Sequence, residues 1–250
     1  MTKYDTMKLT EKCINWIKKY FIENANENTK AIIGISGGKD SAVAAALCVA
    51  ALGKDRVIGV KLPQGEQKDI DCANKVIDWL GIYSIEINIA DACEACYKAL
   101  DTSISKVKEV PQITSNLPAR IRMTMLYAIA AFFGGRVVNT CNYSEDYVGY
   151  ATKFGDGAGD FSPLGMLTTD EVIEIGKKLE VPLDILFKNP EDGLSGLTDE
   201  QNLGFSYKTL NDYIRHNIVP DIDTLFNIET RHKRNIHKVE PVPVFNPASF

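Results

Sequence analysis

Between Lys8 and Asn26, Ile14, Ile17 and Phe21 recur at helical spacing, so the opening segment predicts an amphipathic helix. The pattern then changes. Ala31-Ile32-Ile33-Gly34-Ile35 is a short continuous apolar run, which predicts a strand, and the alanine-rich stretch from Ala42 to Leu52 predicts a helix stopped by Gly53. The alternation repeats with a strand at Val57–Val60, a helix over Lys68–Leu80, a strand over Ile82–Ile89 and a helix over Asp91–Leu100. Asn116 reads as an N-cap, with Pro118 in the first turn of a long helix that runs to Phe133 and ends at Gly134-Gly135. Arg136 to Thr140 predicts a fourth strand. Strands alternating with helices imply right-handed crossovers, and apolar strands without strict alternation suit a buried parallel sheet. The expected fold is therefore α/β, a parallel β-sheet with helices on both faces.

From Asn142 to Pro163 the chain is rich in Gly, Asp, Ser and Tyr and has no period, which predicts a long loop of functional importance. Thr168 with Glu171, and Thr198 with Gln201, fit capping boxes and predict two further helices. The tail from Arg231 to Phe250 carries His232-Lys233-Arg234 and then several prolines. No repeat, low-complexity tract or linker divides the chain, so residues 1–250 are expected to form a single domain.

Composition narrows the classes. The 250 residues are 45% hydrophobic and 24% charged, enough for a sizeable core, and the net charge of −5 argues against a nucleic-acid partner. No apolar run reaches membrane-spanning length and the N-terminus has no leader pattern, so a cytoplasmic protein without a membrane partner is expected. Six scattered cysteines suit reduced thiols. Cys93 and Cys96 form a C-x-x-C with no second pair and no nearby His, so a metal or redox role there competes with two small residues on a helix.

The strongest local signal is Gly34-Ile35-Ser36-Gly37-Gly38-Lys39-Asp40-Ser41, between a strand and a helix. Two glycines let the backbone approach an anion, and the following helix offers unpaired N–H groups and its positive dipole end. Ser36 and Ser41 add hydroxyls. Asp40 would repel bare phosphate, but makes sense if it holds a divalent cation that bridges phosphates. A Walker A loop is excluded, because only three residues separate Gly34 from Gly38-Lys39 and Asp40 follows. A dinucleotide fingerprint is excluded too: Gly155, Gly157 and Gly159 have the wrong spacing and no strand before them.

The S-G-G-x-D-S run resembles the signature of the N-type ATP pyrophosphatases, of adenine nucleotide alpha hydrolase-like, Rossmann-like fold, which split ATP to AMP and pyrophosphate. Four further segments are similar to NAD synthetases in particular. These are Asn116-Leu117-Pro118-Ala119-Arg120-Ile121-Arg122 with Tyr127, Asn139-Thr140-Cys141-Asn142-Tyr143-Ser144-Glu145, and Gly149 to Gly157 with Asp160. The last comprises Asp199-Glu200, Leu203-Gly204, Tyr207 and the terminal His232-Lys233-Arg234. The resemblance implies a homodimeric ligase of NAD biosynthesis that amidates deamido-NAD with ammonia, through an adenylated intermediate.

By the same resemblance, Gly34 to Ser41 and Thr140 bind ATP, Asp40 and Glu145 hold Mg²⁺, and Arg120, Lys153, Asp160, His232 and Lys233 contact deamido-NAD. Lys39 and Mg²⁺ would offset the charge of departing pyrophosphate. Asp156 is a further candidate for that pocket. Arg120 and Arg122, two apart on a helix, cannot share one face, so at most one need enter the site. Two positions depart from the family, which usually has Lys at Thr169 and Ser or Thr at Glu191, both described as ATP contacts. A lost lysine and a gained acid each weaken phosphate binding. Glutamine-using relatives carry an extra amidase domain, for which 250 residues leave no room, so free ammonia or a separate supplier is the expected nitrogen source. The apolar helix from Ala119 to Phe133 fits either a dimer interface or the core. Two other readings remain: an RNA-modifying ATP pyrophosphatase, disfavoured by the acidic balance, and a nucleotide sensor without turnover.

Overall fold

The computed structural model describes residues 5–67, 69–188 and 198–247. Its centre is a four-stranded, all-parallel sheet of order β3-β2-β1-β4, built from β1 (Ala31–Gly34), β2 (Val57–Lys61), β3 (Tyr83–Glu86) and β4 (Arg136–Val137). Helices α1 (Thr6–Asn24), α2 (Lys39–Leu52), α3 (Ile70–Leu80), α4 (Ala90–Asp101) and α5 (Pro111–Phe133) alternate with these strands. Helices α6 (Tyr143–Val148), α7 (Thr169–Lys178), α8 (Leu183–Leu186), α9 (Asp199–Leu203), α10 (Tyr207–His216) and α11 (Ile222–Asn235) follow.

Strand periodicity sorts the core. Ala31 and Ile33 of β1 face a cluster with Ile17 and Phe21 of α1, Ala42 to Cys48 of α2, Val76 of α3 and Ile175 of α7. Ile32, Ile58 and Val60 face the opposite cluster, with Cys93 and Tyr97 of α4 and Leu126 and Ile129 of α5. Both faces are thus covered, as an all-parallel sheet requires. Cys93 and Cys96 are helix residues of α4 in or against this second core. A third cluster, built on Leu203, Leu210 and Ile228, joins α6 to the C-terminal helices. No helix among the described residues is long and apolar enough to cross a membrane.

Four expectations change. The long helix begins at Pro111, not Asn116: Pro111 takes the first-turn position expected of Pro118, which lies buried inside α5. Asn116 Oδ1 instead accepts from Thr152 Oγ1 at 2.9 Å. The fourth strand stops at Val137 because Asn139 turns the chain, its Oδ1 accepting from Cys141 N at 2.9 Å. Beyond β4, Val138 bridges in parallel to Phe161, and Asp160 Oδ2 accepts from Val137 N at 2.7 Å, so this segment covers the sheet edge. The stretch after Asn142 contains α6, opened by a capping box of Asn142 and Glu145. His232-Lys233-Arg234 form the last turn of α11 rather than a free tail.

The two capping boxes at Thr168 and Thr198 are present as expected. Glu171, the capping partner in α7, is 1% exposed and accepts from Thr168 N at 2.9 Å and from Arg215 of α10 at 2.7 Å. Removing one partner of a buried pair strands the other's charge. Arg215→Ala is therefore expected to lower unfolding free energy by about 3–5 kcal/mol, read from urea titrations extrapolated to water.

Candidate active site

β1 pairs with β2 on one side and β4 on the other, all in parallel, so the strand order reverses between β1 and β4. Open parallel sheets place their ligand crevice at the carboxyl ends of such a strand pair. Both candidate acidic segments lie there. The phosphate loop follows β1, and Thr140 to Glu145 follow β4.

The loop is held open by its own hydroxyls. Ser41 Oγ accepts from Ser36 N at 3.3 Å and donates to Gly38 O at 3.1 Å, while Ser36 Oγ accepts from Gly38 N at 3.2 Å. Gly37 has a left-handed φ of 82°, and a Cβ there would lie 2.7 Å from Cys72 Cβ and 2.8 Å from Ala73 N. Only glycine fits, because the loop rests directly on the start of α3. Helix α2 begins at Lys39, earlier than its alanine pattern suggests, and no side chain caps its N-terminus. Its first-turn amides and positive dipole end are available to an anion.

Lys39 is 7% exposed. Burial disfavours its charge, but the carboxylates of Asp40, Glu145 and Asp199 outweigh it and hold the ammonium above its ordinary range. Its Nζ donates to Asp40 Oδ2 at 2.9 Å, and lies 5.9 Å from the Tyr207 ring centre. Asp40 Oδ1 accepts from Asn142 Nδ2 at 3.0 Å, a bond across the β1/β4 crevice. Asn142 is fully buried, and its own Oδ1 accepts from Glu145 N at 3.1 Å. Burial, with repulsion from Asp40, drives the Glu145 carboxyl well above the usual range, while Lys39 opposes this. Two carboxylates close enough to repel suit a divalent cation that keeps water and phosphate oxygens as its other ligands. No group of three or more His, Cys, Asp or Glu able to cage a metal occurs among the described residues.

Asn142, Asp199 and Tyr207 are parts of this centre that the sequence reading left without a role. Asn142 had a signal, as an Asn three residues before Glu145. Tyr207 is 5% exposed, donates its hydroxyl to Asp199 Oδ2 at 3.4 Å, and reaches Lys39 from α10, which only tertiary packing brings near. Thr169 is buried behind the centre, its N–H on Ser144 Oγ at 3.1 Å and its hydroxyl 3.5 Å from Asn142 Oδ1. Thr140 is half-buried, three residues past the end of β4. Glu191 lies outside the described residues.

The expected substrate contacts separate. Arg120 and Lys153 line one cavity of about 320 Å³, with Asn116, Thr152, Phe154, His237 and Lys238. Arg122 leaves on another face to donate to Leu62 O at 3.0 Å, as the two-residue spacing required. Asp160 Oδ2 is engaged by the Val137 amide, and Tyr127 Oη lies 3.5 Å from Oδ1. His232 stacks on Tyr147 at 4.1 Å with Nδ1 2.8 Å from Tyr147 O, and Lys233 is exposed on the same turn. His237 and Lys238, not His232 and Lys233, border the cavity.

The NAD synthase family model matches residues 9–241. The chain is 40% identical over 205 residues to the NH₃-dependent NAD⁺ synthetase of Pyrococcus furiosus, covering 82% of this chain and 77% of that one. Among solved structures, an NMN synthetase from Francisella tularensis superposes with a TM-score of 0.87 at 35% identity, over 98% of this chain and all of that one. An NH₃-dependent NAD synthetase from Campylobacter jejuni gives 0.78 at 25% identity, over 97% of this chain and all of that one. Matched along nearly its whole length by both the family model and these folds, the chain belongs to the NAD synthase family of ligases.

Proposed function

We propose that this protein amidates deamido-NAD with ammonia at the expense of ATP, releasing AMP and pyrophosphate. The crevice between β1 and β4 carries the reading: an uncapped helix end, a buried lysine and an aspartate bridged to the opposite strand end. A carboxylate resists direct attack by ammonia, because oxide is a poor leaving group. Transfer of AMP to it makes a mixed anhydride from which AMP departs readily.

Within that scheme, the amides of Gly37 to Ser41 seat the triphosphate and Thr140 meets the nucleotide from β4. Lys39, kept charged by its acidic surroundings, offsets the charge of departing pyrophosphate. Asp40 and Glu145 would hold Mg²⁺, which when bound supplies further charge neutralisation. Arg120 and Lys153 hold the anionic acid substrate, with Asp160, His232 and Lys233 as outer contacts. The likeness to an NMN synthetase favours a second reading, in which the acid is nicotinic acid mononucleotide. It shares the reacting carboxylate and lacks only the adenylate half.

Pyrophosphate release with ATP, Mg²⁺ and ammonia tests both. Release that depends on deamido-NAD is expected, and Asp40→Asn should reduce it by about a hundredfold or more. Release only with the mononucleotide would replace the first reading with the second, and ATP binding without release under either acid would sink both.

Asn142 has a separate signature. Asn142→Ala is expected to weaken Mg²⁺ affinity by about 10–100-fold, as loss of a group orienting a metal ligand does, measured by competition with Mn²⁺ in electron paramagnetic resonance.

A homodimer is supported by α5, which buries Leu126 and Ile129 on one side and presents Phe132, 83% exposed, on the other. Phe132 meets Phe133 edge to face, and Phe133 in turn meets Tyr83, so a partly exposed aromatic patch spans α5 and β3. A second copy covering it predicts that Phe132→Glu yields monomers in light scattering at concentrations where the native chain is dimeric.

A further inference from the structure

Helix α6 spans only six residues and carries Glu145 in its first turn. A helix that short does not hold its own direction, so its packing decides where Glu145 points. Its start is fastened in three ways. Tyr143 N donates to Leu167 O at 2.8 Å, Asn142 and Glu145 form the capping box, and Ser144 Oγ donates to Asn211 Oδ1 of α10 at 2.5 Å.

The direction of that last bond follows from its neighbours. Ser144 Oγ accepts from Thr169 N at 3.1 Å, which leaves the hydroxyl proton for Asn211, so Asn211 must present its oxygen. Ser144 is fully buried and Asn211 is 2% exposed. Among the described residues, Asn211 Nδ2 has no hydrogen-bond partner. A buried donor left unpaired lowers stability, and a leucine of similar shape would avoid that cost. What Asn211 contributes is therefore the oxygen on Ser144.

The same helix reaches the other side of the centre. Asn211 stands one helical turn beyond Tyr207, whose ring lies 5.9 Å from Lys39 Nζ. One turn further, Arg215 pins α10 by donating to Glu171 Oε2 and to Met166 O, both at 2.7 Å. Thr169 joins the network through its amide on Ser144 and its hydroxyl 3.5 Å from Asn142 Oδ1, and Asn142 in turn holds Asp40. Both candidate metal ligands thus hang from one buried framework, Glu145 through the backbone next to Ser144 and Asp40 through Asn142.

We propose that Asn211 is a positioning residue which, through Ser144, sets the Glu145 carboxylate at the separation from Asp40 that one divalent cation needs. The assignment rests on the reading of Asp40 and Glu145 as holders of Mg²⁺. Asn211 acts through Ser144, not as a ligand.

The test titrates Mn²⁺ alone into the full chain and follows free Mn²⁺ by electron paramagnetic resonance. It compares native protein, Asn211→Leu, Asn211→Asp, Ser144→Ala and the double variant of Ser144→Ala with Asn211→Leu. Asn211→Leu is expected to weaken Mn²⁺ about tenfold, as loss of a group orienting a metal ligand does. Asn211→Asp should recover most of this, since it keeps an oxygen in the same place. The double variant should lose no more than about twofold beyond the weaker-binding single variant, because both remove one bond. In turnover, the Mg²⁺ needed for half-maximal rate should rise in Asn211→Leu while kcat at saturating Mg²⁺ stays within about threefold.

Lower stability in urea with native Mn²⁺ affinity in Asn211→Leu marks a purely structural role and overturns the proposal. Losses that multiply in the double variant overturn it as well, and so does a native chain that holds no Mn²⁺. The two readings fail separately. Native chain that amidates neither acid, while Asn211→Leu still loses Mn²⁺ affinity, removes the amidation reading and supports the positioning role. Amidation with native-like Mn²⁺ affinity in Asn211→Leu removes only the positioning role.

Discussion

One hydrogen bond joins the two halves of the site. Asn142 Nδ2 reaches Asp40 Oδ1 across the gap between the carboxyl ends of β1 and β4. It ties the phosphate loop, which belongs to the first crossover, to the capping box of α6, which belongs to the last strand. Because Asn142 is fully buried and also receives the Glu145 amide, its side chain has little freedom to turn. Asp40 is thereby held in one orientation, and preorganisation of this kind would remove a reorganisation cost from the proposed reaction.

Charges of both signs crowd that bond. A lysine as buried as Lys39 would ordinarily lose its proton, yet three carboxylates keep it charged. Lys39 and Asn142 donate to the two carboxylate oxygens of Asp40. In the proposed reaction Asp40 would hold Mg²⁺, which would leave the Lys39 ammonium to offset phosphate charge. Tyr207 supports this from below: its ring lies near Lys39 and its hydroxyl on Asp199, and burial together with the surrounding acids keeps the phenol protonated.

The second wall depends on close backbone approach. The loop after α6 carries Lys153 at the cavity and is anchored further along the chain through Phe161, whose ring stacks on Tyr20 of α1 at 4.8 Å. The turn after α11 packs onto Gly149 and supplies His237 and Lys238. This cavity, the proposed seat of the acid substrate, is therefore built from three segments far apart in the chain, fastened mostly through backbone carbonyls.

Hydrophobic periodicity alone determined the alternation of strands and helices, the parallel sheet and the covering of both faces, because burial of β1 and α2 on all sides leaves an unmistakable apolar run. The phosphate loop was equally plain, since Gly37 and Gly38 between strand and helix have few other uses. Short elements escaped. α6 spans less than two helical turns and shows no period, although its cap, Asn142 with Glu145, was written in the residues; β4 ended early because one Asx turn outweighed its β-branched run. What only the tertiary structure decided is which distant groups meet. Tyr207 near Lys39, Asn142 on Asp40, and Lys238 rather than Lys233 at the cavity all follow from how the C-terminal helices pack, and side-chain identity along the chain carries no record of that distance.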